Sequence, residues 1–157
     1  MSSINSRPVH KWSLRIAAVL WVIWGAVHIL AGVMVVPAEP LVAITSILDA
    51  VDPASLTAEY PAELSGILSQ HGFNLGWFGV ATVIGAVFIW RGNATAIWVT
   101  GLIGGLADLG YFMFIDLPGY ARFIPGTLMT YVSGSAILLS FWVWLSNRGA
   151  STAKDKT

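Results

Sequence analysis

The 157-residue chain contains no cysteine, and this absence excludes several kinds of site at once. Without thiols there is no disulfide framework, thiolate metal centre, iron–sulfur cluster, covalently attached c-type haem or cysteine nucleophile. Charged side chains are scarce too, at 10% of residues against about 25% in ordinary soluble domains. Because 56% of the residues are hydrophobic, a water-soluble fold of this length could not bury so much apolar surface. Lipid must therefore be the solvent for much of the chain.

Long apolar runs predict an all-α, four-helix transmembrane bundle, since about 20 helical residues are needed to cross a bilayer core. The first run follows a basic segment, but it is longer than a signal-peptide core of about 7–15 residues, so we interpret it as a retained anchor. Its deeper tryptophans, Trp21 and Trp24, are interpreted as packing or lipid-contacting residues. The predicted spans are residues 14–36, 73–90, 94–115 and 127–145.

The few charges are sorted by side of the membrane. Seven of the eight basic residues lie before the first span, between the second and third, or after the fourth. The loop 37–72 contains five acidic residues and no Lys or Arg. The positive-inside rule then predicts a multi-pass cell-membrane protein with both termini cytoplasmic and this loop outside. Residues 1–13 form the predicted cytoplasmic N-terminal segment, and the polar residues 146–157 a disordered cytoplasmic tail.

The connections between spans have predicted structure of their own. Only residues 91–93 separate the second and third spans, which indicates a tight turn and an antiparallel hairpin. Pro61 is placed to start a short helix that leads towards the second span. Another short helix, lying in the membrane interface, is predicted by apolar residues at helical spacing: Leu41, Ile44, Leu48 and Val51.

Two ionisable side chains, His28 and Asp108, lie inside the predicted hydrocarbon region at similar depth. A carboxylate at mid-bilayer costs roughly 3 kcal/mol or more, so we expect Asp108 to face the bundle interior and to hydrogen-bond with His28, directly or through a water. These two residues are also the candidates for catalysis. Further polar residues of the same outer half are Thr130, Ser133 and Ser135. An outward-facing polar pocket is predicted, with the ligand-binding set His28, Asp108, Asn74, His71, Tyr111 and Tyr131.

Small residues lie on the helix faces that carry these two ionisable side chains. The third span contributes Gly101, Gly104 and Gly105, and the first span contributes Gly25 and Gly32. Such stripes of small residues allow neighbouring helices to approach closely, so close helix packing around the pocket is expected.

The sequence names no cofactor and predicts no metal site. A metal site would require His28, His71 and Asp108 to converge from three different helices. No His-x-x-x-His or Glu-x-x-His spacing places two metal ligands on one face of a helix. Nucleic acid is not an expected partner, since no basic patch is interleaved with aromatic residues.

Residues 24–32 read WGAVHILAG, with a His and a Gly four positions apart. This stretch resembles the first helix of small, mostly uncharacterised bacterial membrane proteins of the DoxX-like kind. The resemblance implies four spans, a longer outer loop after the first span and cytoplasmic termini. Some proteins of that group are linked to quinone or redox partners, but the resemblance transfers no binding residue to this chain.

Three functions from different classes fit these features. The leading one is binding of a lipophilic small molecule (quinone, isoprenoid or lipid), or service as an accessory subunit that docks on a membrane-protein partner or a second copy. The alternative is a membrane-embedded enzyme that uses Asp108 and His28 as an acid–base pair on a lipid-soluble substrate. The third is a structural assembly subunit whose glycine stripes are its contact surfaces. A cavity of roughly 300 Å³ or more beside the pair favours the first two.

Overall fold

The computed structural model describes residues 7–56 and 59–154, and within these residues every regular element is helical. A π-helical turn, Phe112–Asp116, extends α4. The segment Phe123–Thr127, which is kinked by an extended backbone conformation at Ile124, leads into α5. The loop after α2 contains a single 3-10 turn among its described residues, Pro53–Ser55. The α-helices are α1 (Pro8–Val35), α2 (Pro40–Ile47), α3 (Ala62–Trp90), α4 (Ala94–Tyr111) and α5 (Leu128–Lys154).

The predicted four-helix membrane bundle is confirmed. In the described part of the chain, four helical segments are long and apolar enough to cross a membrane: Pro8–Val35, Ala62–Trp90, Ala94–Asp116 and Phe123–Arg148. Large apolar side chains point outward from them, and Leu138, for example, is 73% exposed. The protein is therefore a multi-pass integral membrane protein whose outer surface contacts the lipid bilayer.

The first two spans begin earlier than the apolar runs predicted. Helix α1 starts at Pro8, so residues 8–13 belong to the helix, while residues 1–6 of the predicted N-terminal segment lie outside the described residues. Proline suits this first-turn position because its missing N–H would have no helical partner there. Helix α3 starts directly after Pro61 and merges the predicted short helix with the second span.

The fourth span also extends further than predicted. Helix α5 continues to Lys154, so the predicted tail is helical up to that residue, and residues 155–157 lie outside the described residues. The side chains of Ser146 and Asn147 donate to the carbonyl oxygens of Trp142 and Val143, four residues earlier. These bonds point the polar groups back onto the backbone of a helix that continues past the apolar run.

The predicted turn between the second and third spans is present. Gly92 adopts a left-handed conformation with φ of 76°, which a glycine adopts without steric cost. Asn93 then caps α4, because its side-chain oxygen accepts a hydrogen bond from the backbone N–H of Ala96 at 3.1 Å. The two helices are thereby joined as an antiparallel pair.

The long helices form a ring in which α1 lies between α3 and α5, and α4 lies between the same two helices on the opposite side. The connections 36–61 and 117–122 lie at one end of the bundle, which we call the loop end. The turn 91–93, the start of α1 and the end of α5 lie at the other end, the termini end. Trp21 and Trp24 of α1 are fully buried within the ring.

Glycines bring α1 and α3 into close backbone contact. A Cβ added at Gly25 would lie 2.7 Å from the carbonyl oxygen of Gly79, and one at Gly32 would lie 2.6 Å from that of Gly72. No side chain fits in either place, so these positions require glycine. On α4 the expected close approach takes another form, because Gly104 makes room for the ring of Trp21.

The loop end is closed by contacts between distant parts of the chain. The predicted interfacial helix is present as α2, although it ends before Leu48 and Val51. Just after it, the Asp49 carboxylate accepts a hydrogen bond from the backbone N–H of Arg122 at 2.6 Å, and the N–H of Ala50 donates to the carbonyl of Tyr120 at 3.0 Å. We call residues 46–50 and 120–122, which these bonds join, the loop cap.

Candidate functional site

Asp108 is buried in α4 and is held by side chains from two other helices. The indole N–H of Trp24 in α1 donates to its Oδ2 atom at 2.8 Å, and the hydroxyl of Ser133 in α5 donates to the same oxygen. No described residue donates to the second carboxyl oxygen, Oδ1, and that atom is not fully enclosed by protein. The carboxyl group thus joins three helices through one oxygen and leaves the other without a protein partner.

The expected direct hydrogen bond between Asp108 and His28 is absent among the described residues. The His28 ring instead stacks on the Trp24 ring, with centroids 3.5 Å apart and planes at 18°. Residues four apart share a helix face, so Trp24 lies beside His28, and its larger side chain is the one that reaches Asp108. The sequence interpretation of Trp24 as a simple packing residue was incomplete for the same reason.

The hydrogen bond of His28 determines which ring nitrogen carries the proton. Its Nδ1 atom lies 2.9 Å from the backbone carbonyl oxygen of Trp24. A carbonyl oxygen can only accept, so Nδ1 is the donor, and in the neutral ring Nε2 keeps its lone pair. None of the described residues hydrogen-bonds to Nε2, and that atom is not sealed inside the protein. His28 therefore presents an unused acceptor.

A cavity of about 340 Å³ at the loop end connects these residues. Every helix contributes to its wall, and the wall is mostly apolar. Four of the six side chains predicted as ligand-binding line it: His28, His71, Asp108 and Tyr111. The cavity contains no Lys or Arg among its lining residues.

The other two predicted residues, Asn74 and Tyr131, are not part of the cavity wall. The Asn74 side-chain oxygen accepts a hydrogen bond from the indole N–H of Trp77 at 3.1 Å. Tyr131 is 63% exposed and lies near the ring of Phe123. It precedes Ser133 by two positions, a rotation of about 200° around a helix, so its side chain points away from the Asp108 side of α5.

The predicted ligand-binding set omitted several residues of this site, although Ser133 was already noted among the polar residues of the outer half. Trp24 and Ser133 hold Asp108, while Ser46 and Asp49 bring the loop cap into the cavity wall. Trp24 had a partial signal, because it lies one helical turn from His28 and a buried indole N–H usually has an acceptor; the equally buried N–H of Trp21 has none among the described residues. The loop-cap residues had no such signal, since their position depends on how the loop folds over the bundle.

The cavity reaches the lipid-facing surface of the bundle. Leu30 and Met34 of α1 line it, yet they are 59% and 58% exposed. Both lie in the last two turns of the candidate membrane span Pro8–Val35, on a surface that packs against no other described helix. A molecule dissolved in the bilayer could therefore enter beside these two side chains.

No three His, Asp or Glu side chains within residues 7–56 and 59–154 come close enough together to hold a metal ion. Comparisons of the chain with protein-family models, with curated proteins and with solved structures find no match.

Proposed function

We propose that this membrane protein binds a lipophilic small molecule, such as a quinone, an isoprenoid or a lipid, with its polar head in the loop-end cavity. The cavity volume of about 340 Å³ is within the range of ligand sites, which begins at about 300 Å³. Apolar walls with a few polar groups are also typical of such sites.

The observation that carries this proposal is the hydrogen bonding of Asp108. A carboxyl group inside a membrane span costs free energy unless its polar atoms are satisfied. Both protein donors, from Trp24 and Ser133, bind one oxygen, and the other oxygen belongs to a side chain that lines the cavity. A purely structural hydrogen bond does not require an adjoining cavity, whereas a binding site does.

The same geometry weighs against the two rival functions. The enzyme hypothesis was based on a contact between Asp108 and His28, and here the Trp24 side chain takes the place at Asp108 expected for His28. In an assembly subunit the glycine stripes would lie on the outer surface and contact a partner. Gly25 and Gly32 instead pack against α3 of the same chain.

Two further expectations are part of the proposal. With both termini in the cytoplasm, the loop end and its cavity lie on the outer side of the cell membrane. The resemblance of residues 24–32 to DoxX-like proteins is compatible with a lipid-soluble ligand, and a membrane-protein partner or second copy would bind outside the cavity.

The test removes the polar cluster as a unit. Replacing Asp108→Leu, Trp24→Phe and Ser133→Ala together removes the two donors along with their acceptor, so the bundle should keep its insertion and melt within a few degrees of the parent protein. We expect native mass spectrometry to find a co-purifying lipophilic molecule on the parent protein and none on the triple variant.

Tyr131→Phe is the matched control. Because Tyr131 lies outside the cavity wall, this variant should still carry the molecule. A stable triple variant that still carries the same molecule would contradict the proposal. So would a parent protein that carries no lipophilic molecule when purified from its native membrane.

A further inference from the structure

The cavity offers hydrogen-bond acceptors that the protein leaves unused. Nε2 of His28 is an acceptor in the neutral ring because Nδ1 donates to the Trp24 carbonyl. Oδ1 of Asp108 accepts when the carboxyl group is ionised and donates when it is protonated. A ligand head that donates to His28 and can either donate to or accept from Asp108 would satisfy both groups.

The charged residues in the cavity wall further limit which head groups a ligand can have. The lining residues include the carboxyl groups of Asp49 and Asp108 but no Lys or Arg. A carboxylate or phosphate head would face these acidic groups with no cation beside it, and would give up its hydration to enter. An anionic head is therefore disfavoured.

The route into the cavity indicates what kind of body the ligand has. Leu30 and Met34 line the cavity and are exposed on the lipid-facing side of α1. An apolar chain can remain against these side chains, partly in the bilayer, while its head lies at Asp108.

From these observations we infer that the site selects an apolar molecule with an un-ionised hydroxyl head, such as an isoprenoid alcohol, over analogues with a carbonyl or carboxylate head. A hydroxyl can donate its one proton to Nε2 of His28 and accept from Asp108 when that carboxyl group is protonated, so in that state it pairs with both residues. An aldehyde has no donor for Nε2 of His28. This inference rests on the proposed function, because it specifies the ligand of the same cavity.

The experiment uses three probes with one tail: farnesol, farnesal and farnesoic acid. Binding of radiolabelled farnesol to the full-length protein in lipid nanodiscs at pH 8 is competed with the unlabelled probes. We expect saturable binding of farnesol, with farnesal and farnesoic acid each about tenfold weaker, as one lost hydrogen bond implies.

A variant of the proposed acceptor tests the cause of the selection. His28→Phe keeps an aromatic ring beside Trp24 but removes the acceptor nitrogen, so the roughly tenfold preference for farnesol over farnesal should fall. Any preference that remains then comes from the ionised Asp108 carboxyl group, which can accept from the hydroxyl. Tyr131→Phe should keep the full preference. A role of His28 in packing alone would change affinity for both probes equally.

The outcomes separate this inference from the proposed function. If farnesal or farnesoic acid competes as well as farnesol, hydroxyl selection is wrong and the binding site stands. If none of the probes binds saturably but a lipophilic molecule co-purifies, hydroxyl selection is again wrong. If no probe binds and nothing co-purifies, both proposals are overturned.

Discussion

Asp108 lies among apolar helices with both of its protein donors on one oxygen. Trp24 comes from the opposite helix, α1, and Ser133 from the neighbouring helix, α5, so the carboxyl group links α1, α4 and α5 beside the cavity. Its contribution to stability comes from satisfying those two donors as much as from its own burial. The loss of stability caused by a substitution of Asp108 should therefore depend on whether it leaves the donors of Trp24 and Ser133 without an acceptor.

Asp108→Asn should destabilise the protein less than Asp108→Leu. The asparagine oxygen can still accept from Trp24 or Ser133, whereas leucine leaves the buried indole N–H and the hydroxyl without partners. We expect a loss of roughly 1–3 kcal/mol for leucine and less than about 1 kcal/mol for asparagine. Thermal unfolding in detergent, followed by near-UV circular dichroism, measures both.

A matched control is Asp108→Leu combined with Trp24→Phe and Ser133→Ala, which removes the orphaned donors and should recover most of the lost stability. Equal melting temperatures for the asparagine and leucine variants would show that the two hydrogen bonds do not stabilise the bundle.

At the scale of the helices, α1 and α3 are the most closely packed pair. Their backbones touch at Gly25 with Gly79 and at Gly32 with Gly72. This contact fixes the rotation and depth of α1, and with them the direction in which Trp24 and His28 point. The site on α1 therefore depends on glycines that do not line the cavity.

Gly25→Ala should destabilise the bundle, because the added methyl group would overlap the Gly79 carbonyl and force the helices apart. Overpacking of this kind costs roughly 1–3 kcal/mol. Gly110→Ala is the control, since a Cβ there meets no atom within 4 Å. The midpoint of thermal unfolding is the readout, and a Gly25 variant as stable as the Gly110 variant would refute the close contact.

The loop cap depends on a single side-chain bond between distant segments. Asp49→Ala removes the acceptor for the backbone N–H of Arg122, so we expect faster hydrogen–deuterium exchange in residues 46–50 and 120–122. Asp52→Ala is the matched control, because that carboxylate binds only the nearby N–H of Ala54. Unchanged exchange in the Asp49 variant would mean that the other contacts suffice to hold the cap.

For the whole molecule, the charge distribution predicts the orientation in the membrane. Reporter fusions after Arg91 and after Arg148 should both report a cytoplasmic location, and an insertion near Ser55 should report an external one. The reason is the excess of basic residues at the termini end and the acidic residues of the loop 37–72. A cytoplasmic signal from the Ser55 insertion would reverse the orientation and place the cavity on the inner side.

Features that depend on neighbouring residues in the chain could be predicted from the sequence. The membrane environment, the four spans, the turn at Gly92 and the short helix α2 all follow from local hydrophobicity, proline, glycine and capping residues. The same is true of the membrane depth of His28 and Asp108, because depth follows from counting residues along a helix. Helix ends were less predictable, as at Ala62 and Lys154, because a helix can continue beyond its apolar run.

The partners of Asp108 were determined only by the tertiary structure. Trp24 and Asp108 are 84 positions apart, and their contact depends on how α1 is rotated against α3 and placed across from α4. No local pattern encodes that rotation, because it results from the simultaneous packing of glycines on one helix against a neighbour. The cavity is a consequence of the same packing: it exists where the five α-helices and the loop cap do not fill the space between them.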